Sequence, residues 1–578
     1  MKKYFLVALF VLFILVVFLV AGQYAGGYFL LQKIGLDPSK VNFKTLYQYY
    51  LAYGKETGDM GRVIKMGLAI AFAPSGMLLI IILAAIVNQK RAIDKLYGEA
   101  RFATDMEIQN AGMFFDEKKE AKWPPVLLGK KGKRYIADYS QEYTSLSAPP
   151  GAGKGVSFVV PNLLSYTHSV VNMDPKLENF GLTAGYRKDV LGQEVYLFSP
   201  DNENFVTHGW NPLDYISRDP RRQISQIKNL TSILIPAEKG PNQSFFLSAR
   251  NAVDGLILYL METPEEELTM YRVNAINSDP IGIDKWIITT VASRAKSGNP
   301  LSETCVRLLM SYANEHDKKR DTTNGIIATY LAPFADPLCR AATSKSDFDF
   351  NDLRKKRMTI YVGISPGNIV KFQRLLNLFF SQAIMINTVS LPEEGPKDEN
   401  GEPILKYQCL MLLDEFVALG PIEIIRSSSG YTRAYNMRYA IVFQNKSQVY
   451  ADECYGRAGG ESLLDTFHNE IVFATESVQD AEDYSKRLGN QTLKHYETSR
   501  TKASNGGSTT RNVQRHSRSL LLPQEIQRLP YSEQLLFKRG GRILPIHCSK
   551  IVWYNDPYFM HKANMPVPKI PDMVFKSA

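Results

Sequence analysis

The stretch "SAPPGAGKGVSFVVPNLL", residues 147–164, limits the possible folds more than any other. Gly151 and Gly153 allow the backbone to curl tightly, so that successive N–H groups point at phosphate oxygens. The apolar run from Val156 then opens a helix, whose N-terminus adds partial positive charge. Such a loop works only between a buried strand and a helix, which asks for a mostly parallel sheet covered by helices. Residues 143–148 supply the strand. Two letters depart from the pattern G-x-x-x-x-G-K-[ST]. Ala148 stands at the first glycine, and Gly155 stands where a hydroxyl would hold Mg²⁺. Ser157 comes two residues later and faces away from the metal position, so water is expected to complete the Mg²⁺ shell. Pro161 is expected to kink the helix or end its first segment. The phosphate-binding residues on this reading are Pro150, Gly151, Ala152, Gly153, Lys154, Gly155 and Val156, with Lys154 reaching the β- and γ-phosphates. Taken alone, the stretch reads equally as a Gly-rich turn before an ordinary helix.

A second element strengthens the nucleotide reading. In "CLMLLDEFVALG", residues 409–413 form an unbroken apolar run, as in a strand buried on both faces, and end in Asp414 and Glu415. That carboxylate pair suits ATP hydrolysis, with Asp414 on the Mg²⁺ shell and Glu415 orienting or deprotonating the attacking water. "MRYAIVFQNKSQV" is another buried strand ending in Gln444, an uncharged group suited to sensing a γ-phosphate or water. The helical stretch 423–435 carries Arg433, a candidate for the arginine that stabilises transition-state charge across a subunit interface. Arg426 and Arg438 compete with it. Asp174 and Lys176, in "VVNMDPKLENF", lie just past a strand end, where open α/β sheets bind ligands.

The chain has 578 residues and a formal charge of +10, which favours a phosphate-bearing partner, either nucleic acid or anionic lipid. Its five cysteines include no C-x-x-C pair, which argues against a disulfide framework, and its eight histidines show no metal-ligand spacing. Two uncharged runs, 4–22 and 66–87, are each near the length that spans a bilayer. The first could alternatively be a signal peptide behind Lys2 and Lys3. The favoured reading is a two-span hairpin with a periplasmic loop at 23–65, within a membrane domain at 1–95. Lys90, Arg91 and Lys95 share a side with the N-terminus. The loop also holds Lys33, Lys40, Lys44, Lys55, Arg62 and Lys65, so charge alone orients the hairpin weakly. A nucleotide site requires the C-terminal part to be cytoplasmic.

Beyond residue 95, apolar runs alternate with helical stretches. Candidate strands are 143–148, 168–173, 194–198, 358–364, 409–413, 438–443, 470–474 and 546–553, with a hairpin over 126–138. Strand signals stop between about 219 and 344, which reads as an all-α insertion. The flanking segments, 96–218 and 345–578, would form one nucleotide-binding domain. Residues 497–518, with Arg500, Lys502, Arg511, Arg515 and Arg518, have the composition of a mobile basic loop.

These motifs, together with "WNPL", "GEARFAT" at 98–104 and the C-terminal "LPYSEQLLFKRGGRILPIHCSKIVWYNDPYF", resemble the type IV secretion coupling proteins, the TraG-type conjugation ATPases. The resemblance runs in order along nearly the whole chain. That family often carries A-P at the start of its loop and G-K-G at its end. It implies a RecA-like P-loop NTPase domain with an inserted all-α domain, behind a two-helix transmembrane hairpin. It implies a homo-hexamer at the bacterial inner membrane that uses ATP and Mg²⁺. Lys154 matches the family's phosphate-loop lysine, Asp414 and Glu415 its metal and water carboxylates, and Gln444 its sensor. Arg433, eleven residues before Gln444, falls where relatives place an arginine finger.

The implied partners are DNA, bound without sequence preference and expected as a single strand, the relaxase with accessory relaxosome proteins, other inner-membrane secretion components and secretion ATPases, and the lipid bilayer. DNA contacts are sought in "GKKGKR" ending at Arg134, in "RKKR" at 354–357 and in the basic loop 500–518; the first could equally face anionic lipid. The expected function is recruitment of the relaxase–DNA complex and ATP-driven DNA transfer to the secretion channel. The alternative is a docking receptor for secreted protein or nucleoprotein substrates that binds ATP without acting as a DNA motor. A chromosome-type translocase is disfavoured because the chain lacks a long linker and a winged-helix-like tail. A protein-effector adaptor is disfavoured because the chain ends soon after "YNDPYF" without a long acidic extension.

Overall fold

A computed structural model of the chain describes residues 2–56, 58–94, 96–237, 240–501, 508–540 and 543–575. Lys95 and Lys502 lie outside the described residues, as do the side chains of Lys2, Lys3, Lys90, Arg91, Arg500 and Arg511. The chain divides into two compact units, 101–488 with 520–578 and 1–100 with 489–519.

Among the described residues there are thirteen strands: β1 (Val126–Lys131), β2 (Arg134–Asp138), β3 (Thr144–Ser147), β4 (Ser169–Met173), β5 (Glu194–Phe198), β6 (Met358–Val362), β7 (Cys409–Leu413), β8 (Met437–Phe443), β9 (Asn469–Val472), β10 (Asn490–Thr501), β11 (Ser508–Ser519), β12 (Glu533–Lys538) and β13 (Ile546–Ser549). Eleven of them form the sheet of the larger unit, in the order β2-β1-β13-β12-β9-β3-β8-β7-β4-β6-β5. The strands from β9 to β5 are parallel. Those from β12 outward pair antiparallel. Every residue of β4, β6, β7 and β8 is buried, which is why their sequences are mostly apolar rather than alternating, with Ser169, Asn172, Thr359 and Arg438 as the polar exceptions.

Three sequence expectations change here. The run at 546–553 is a strand only to Ser549 and then turns. β12 was not expected, because Leu535, Leu536 and Phe537 are too short an apolar run to stand out. The stretch 423–435 is not one helix: Gly430 follows three serines, and the segment splits into a helix, Glu423–Ser428, and a 3₁₀ turn, Thr432–Tyr435.

Between β5 and β6 the described residues hold seven α-helices and no strand, from Pro220–Leu234 to Pro337–Ala342. They do not form a separate core. Leu230, Leu256 and Ile327 belong to the same buried apolar cluster as Val171, Ile360 and Met411 of the sheet. At the sheet's N-terminal edge, Arg438 at the start of β8 is fully buried. It pairs with Asp138 at 3.0 Å and donates to the Glu142 carbonyl at 3.0 Å. Lys538 also reaches Asp138, at 3.2 Å, so charged groups from β2, β8 and β12 meet inside the protein.

In the smaller unit two long helices, Lys2–Lys33 and Asp59–Asp94, pack together. They extend beyond the apolar runs, so the segment outside them is 34–58 rather than 23–65. Within them, Leu12–Lys33 and Asp59–Ala84 are long and apolar enough to cross a membrane, and most of their side chains face outward. The glycines of "GQYAGGYF", to which sequence gave no role, lie inside the first helix. There is no room for a Cβ at Gly22 against the Ala71 carbonyl, or at Gly26 against the Gly67 carbonyl. Small residues spaced four apart bring two helix backbones into contact in this way.

The supposed mobile loop at 497–518 is largely the arms of a twelve-residue-per-strand hairpin, β10–β11, paired in register from Asn490↔Ser519 to Thr501↔Ser508. Serine and threonine suggested a loop, but most of the polar residues alternate along two exposed strand faces. The base of the hairpin is tied to 97–100, where the Ala100 N–H donates to the Asn490 carbonyl at 2.9 Å.

Arg438→Met should destabilise the larger unit by about 3 kcal/mol, because it leaves Asp138 buried with less compensation. Thermal unfolding of the full-length protein in detergent would show a lower Tm.

Candidate nucleotide site

The loop 148–154 leaves the C-terminal end of β3 and is stapled to its neighbour, with the Ala148 N–H donating to the Phe443 carbonyl of β8 at 3.0 Å. Gly151 and Gly153 have φ of 74° and 82°, the left-handed region that favours glycine. The helix that follows begins as a π-turn, Gly155–Val159, and becomes α-helical over Val160–Leu163. Pro161 has no N–H for the preceding turn, and a widened turn absorbs that loss. The Asn162 side chain supplies a substitute donor, to the Phe158 carbonyl at 2.8 Å. The expected break is therefore a change of helix type before the proline. The Ser157 hydroxyl donates to the Gly153 carbonyl at 2.6 Å and serves the loop's own backbone.

Asp414 and Glu415 follow β7, with β8 lying between them and β3. Two strand spacings, about 9.5 Å, separate the loop strand from the carboxylate strand. Lys154 bridges that gap. Its Nζ forms an ion pair with Glu415 and lies 3.6 Å from Asp414 Oδ1. Glu415 has a left-handed backbone, φ 57°, which is strained for a residue with a side chain, and its N–H donates to Asp414 Oδ1 at 3.1 Å. Burial and the neighbouring Glu415 raise the Asp414 carboxyl, against the pull of Lys154. Asp174, past the end of β4, is a third carboxylate here. It accepts the Phe180 N–H at 2.7 Å, and burial, helped by the charge of Asp414, pushes it up to about 7.

These groups line a cleft of 230 Å³, which also includes Lys176, Asn179 and Trp553. Glycine turns, two lysines and three carboxylates held together, of which Asp174 is buried, fit a nucleoside triphosphate with Mg²⁺. A larger cleft of 550 Å³, around Asp214, Asp349 and Asp352, is acidic and unsuited to phosphate.

Gln444 follows β8 at the same edge of the sheet, and its amide pairs with Gln448 at 3.3 Å. Arg433 sits at the opposite edge, before β8 begins. Its guanidinium lies over the Tyr143 ring at 4.5 Å and donates to the Thr466 carbonyl at 2.8 Å, so it does not reach the loop 148–154. Of its competitors, Arg438 is buried in the network described above, and Arg426 pairs with Glu423 on the surface.

Two proposed DNA patches turn out to be mostly engaged elsewhere. In "GKKGKR", Lys130 pairs with Asp556 at 2.6 Å, Lys131 donates to the His547 carbonyl at 2.6 Å and Arg134 meets Asp105 at 3.2 Å. In "RKKR", Arg354 is buried and bonds the Tyr435 carbonyl at 3.1 Å, while Lys356 pairs with Glu194 at 2.7 Å. Sequence missed the part of the C-terminal segment in the site. Trp553 fell at the end of an expected strand, and nothing in its neighbours marks it as a cleft residue.

Residues 101–575 match the family model described as type IV secretory system conjugative DNA transfer. The chain belongs to that family. It is 27% identical over 570 residues to a conjugal transfer protein TraG of Escherichia coli, covering 91% of this chain and 87% of that one. It is 29% identical over 520 residues to protein VirD4 of Rhizobium radiobacter, covering 88% and 70%. Among solved structures, the plasmid coupling protein TrwB in complex with ADP and Mg²⁺ aligns at a TM-score of 0.53 and 14% identity, over 82% of this chain and 95% of that one. That likeness is one of fold, and it agrees with a large, mostly parallel sheet accompanied by helices.

Asp174→Asn tests the carboxylate cluster. Because its folded pKa is raised, Asp174 favours folding at low pH, and that contribution is lost as pH rises through about 7. The variant should therefore gain in Tm relative to wild type at pH 8 more than at pH 5, without added nucleotide.

Proposed function

We propose that this protein is the membrane-anchored ATPase coupling protein of a conjugative type IV secretion system, which recruits a relaxase–DNA complex and drives DNA to the secretion channel. The observation that carries this reading is the convergence of Lys154, Asp414, Glu415 and Asp174 on one cleft at the strand ends, in a chain of the conjugative DNA transfer family. The two apolar helices serve as a transmembrane hairpin at the inner membrane, with 34–58 periplasmic and the sheet cytoplasmic. The helices between β5 and β6 act as the all-α domain inserted into a RecA-like core.

Mg²⁺–ATP supplies the phosphoanhydride and partial neutralisation of its charge. The backbone N–H groups of Gly151 and of 153–156 bind the phosphates; Pro150 has none, and that of Ala152 donates to the Pro149 carbonyl at 3.2 Å. Lys154 exchanges its carboxylate partner for phosphate oxygens, which leaves Glu415 unpaired and able to orient and deprotonate water. Asp414 and Asp174 hold the metal side of the cleft. Gln444, next to the loop strand, reports γ-phosphate occupancy to the helix Lys446–Tyr450. Arg433, on the far edge of the sheet, serves the neighbouring protomer of a hexamer. DNA is held through phosphates, with the β10–β11 hairpin as the remaining basic candidate, so affinity should fall steeply with salt.

Lys154→Ala should abolish hydrolysis by the full-length protein in detergent. Glu415→Gln should keep ATP binding and lower turnover by about 100-fold or more. Wild-type binding without hydrolysis, with or without single-stranded DNA, would instead support the docking receptor. An Arg433→Ala protein mixed with a Lys154→Ala protein should regain part of the activity that each lacks. Absence of any recovery in mixed assemblies would remove Arg433 from the interface.

A further inference from the structure

Lys550 is a buried cation with an unusual partner. It follows β13 and is 6% exposed, and its Nζ donates to the carbonyl of Ala152, inside the phosphate loop, at 2.9 Å. The rest of its surroundings are aromatic: Nζ lies 3.6 Å from the Phe473 ring centroid and 4.7 Å from that of Tyr531. Its backbone is fixed as well, with the Lys550 N–H donating to the Ser532 carbonyl at 2.8 Å. Among the described residues no carboxylate forms an ion pair with it. The Tyr531 hydroxyl closes the space behind Gly153 so tightly that no Cβ would fit there.

Peptide geometry gives this arrangement a direction. In a trans peptide the C=O and the following N–H point opposite ways. Lys550 pulls the Ala152 carbonyl towards the C-terminal segment, so the Gly153 N–H points away from it, on the phosphate side. That N–H donates to no backbone carbonyl among the described residues.

We propose that Lys550 is a positioning residue for nucleotide: by holding the Ala152 carbonyl it aims the Gly153 N–H at the phosphates, and it places a second positive charge behind the loop. The proposal rests on the nucleotide reading of the cleft and extends the site to a segment about 400 residues further along the chain. A buried ammonium with one neutral acceptor is costly unless something else uses its charge, and a polyanion on the other side of the loop would do so. Burial alone lowers Lys550 to about 8. The groups packed against it, Phe473, Tyr531, Ser532 and Ala152, add no formal charge near neutral pH. As pH rises through about 8 the ammonium is lost, and with it the charge-assisted hold on Ala152.

The test measures the Kd of a fluorescent ATP analogue with Mg²⁺, on full-length protein in detergent, from pH 6.5 to 9.5. Wild type should bind progressively more weakly above about pH 8. Lys550→Met should bind about 10-fold or more weakly at pH 7 and lose the pH dependence. Lys550→Arg keeps a charge that does not titrate in this range, so it should bind nearly as wild type at pH 7 and lose the decline above 8. A merely structural lysine would lower the Tm of Lys550→Met without moving Kd or the pH profile, and that result would overturn the proposal. So would a decline above pH 8 that persists in Lys550→Arg. Should Lys550→Met fail to fold, Lys550→Arg decides alone. Failure of wild type to bind the analogue at any pH counts against the nucleotide reading itself, an outcome distinct from these.

Discussion

The strand order places β8 between the strand that carries the phosphate loop and the strand that carries the carboxylates, and the rest of the site follows from that spacing. With one strand between them, the glycine loop and the carboxylates need a long cation to connect them, and Lys154 is that cation. The intervening strand contributes its own end, Gln444, and its Phe443 carbonyl fixes the start of the loop. Arg438 lies near its beginning on the far edge, and Arg433 just before it. Opposite ends of β8 thus face different surroundings, one at the cleft and one at the base of the sheet.

Parallel strands buried on both faces put every side chain into the core, and this made the fold legible from sequence. β4, β6, β7 and β8 read as mostly apolar because neither face meets water, and the few polar residues in them are buried too. The same cue fails at the antiparallel margin. β12 is framed by Glu533 and Lys538 and offers only a short apolar centre. It fails for β10 and β11 as well, since a two-stranded ribbon exposed on both faces needs few apolar residues, and serine and threonine then look like loop. Glycines mislead in the opposite way. Those of the first long helix mark close packing, whereas glycine in isolation suggests a turn.

For the cleft, sequence singled out residues that a local motif marks, Gly151, Gly153, Lys154, Asp414 and Glu415, and the structure brings them together. Sequence did not find those that act through long-range contact. Trp553 and Lys550 come from a segment whose role depends on β13 returning beside β12 and placing its end under the loop. Asp174 was visible as a strand-end acid, but its proximity to Asp414 requires the pairing of β4 with β7. Local spacing also could not tell Arg438 from Arg433. One is consumed by a buried network and the other lies half-exposed, a difference set by Asp138 three hundred residues away.

The paired long helices have a mechanical consequence. Gly22 meets Ala71 and Gly26 meets Gly67, so the two contacts share one register. Sliding one helix by a turn would bring Gly26 opposite Val63, whose branched side chain cannot enter the space that Gly67 leaves. The fit is therefore one of shape, indifferent to charge and to salt, and it resists sliding in that direction. Force applied along one helix in that direction is carried by both, without either creeping past the other.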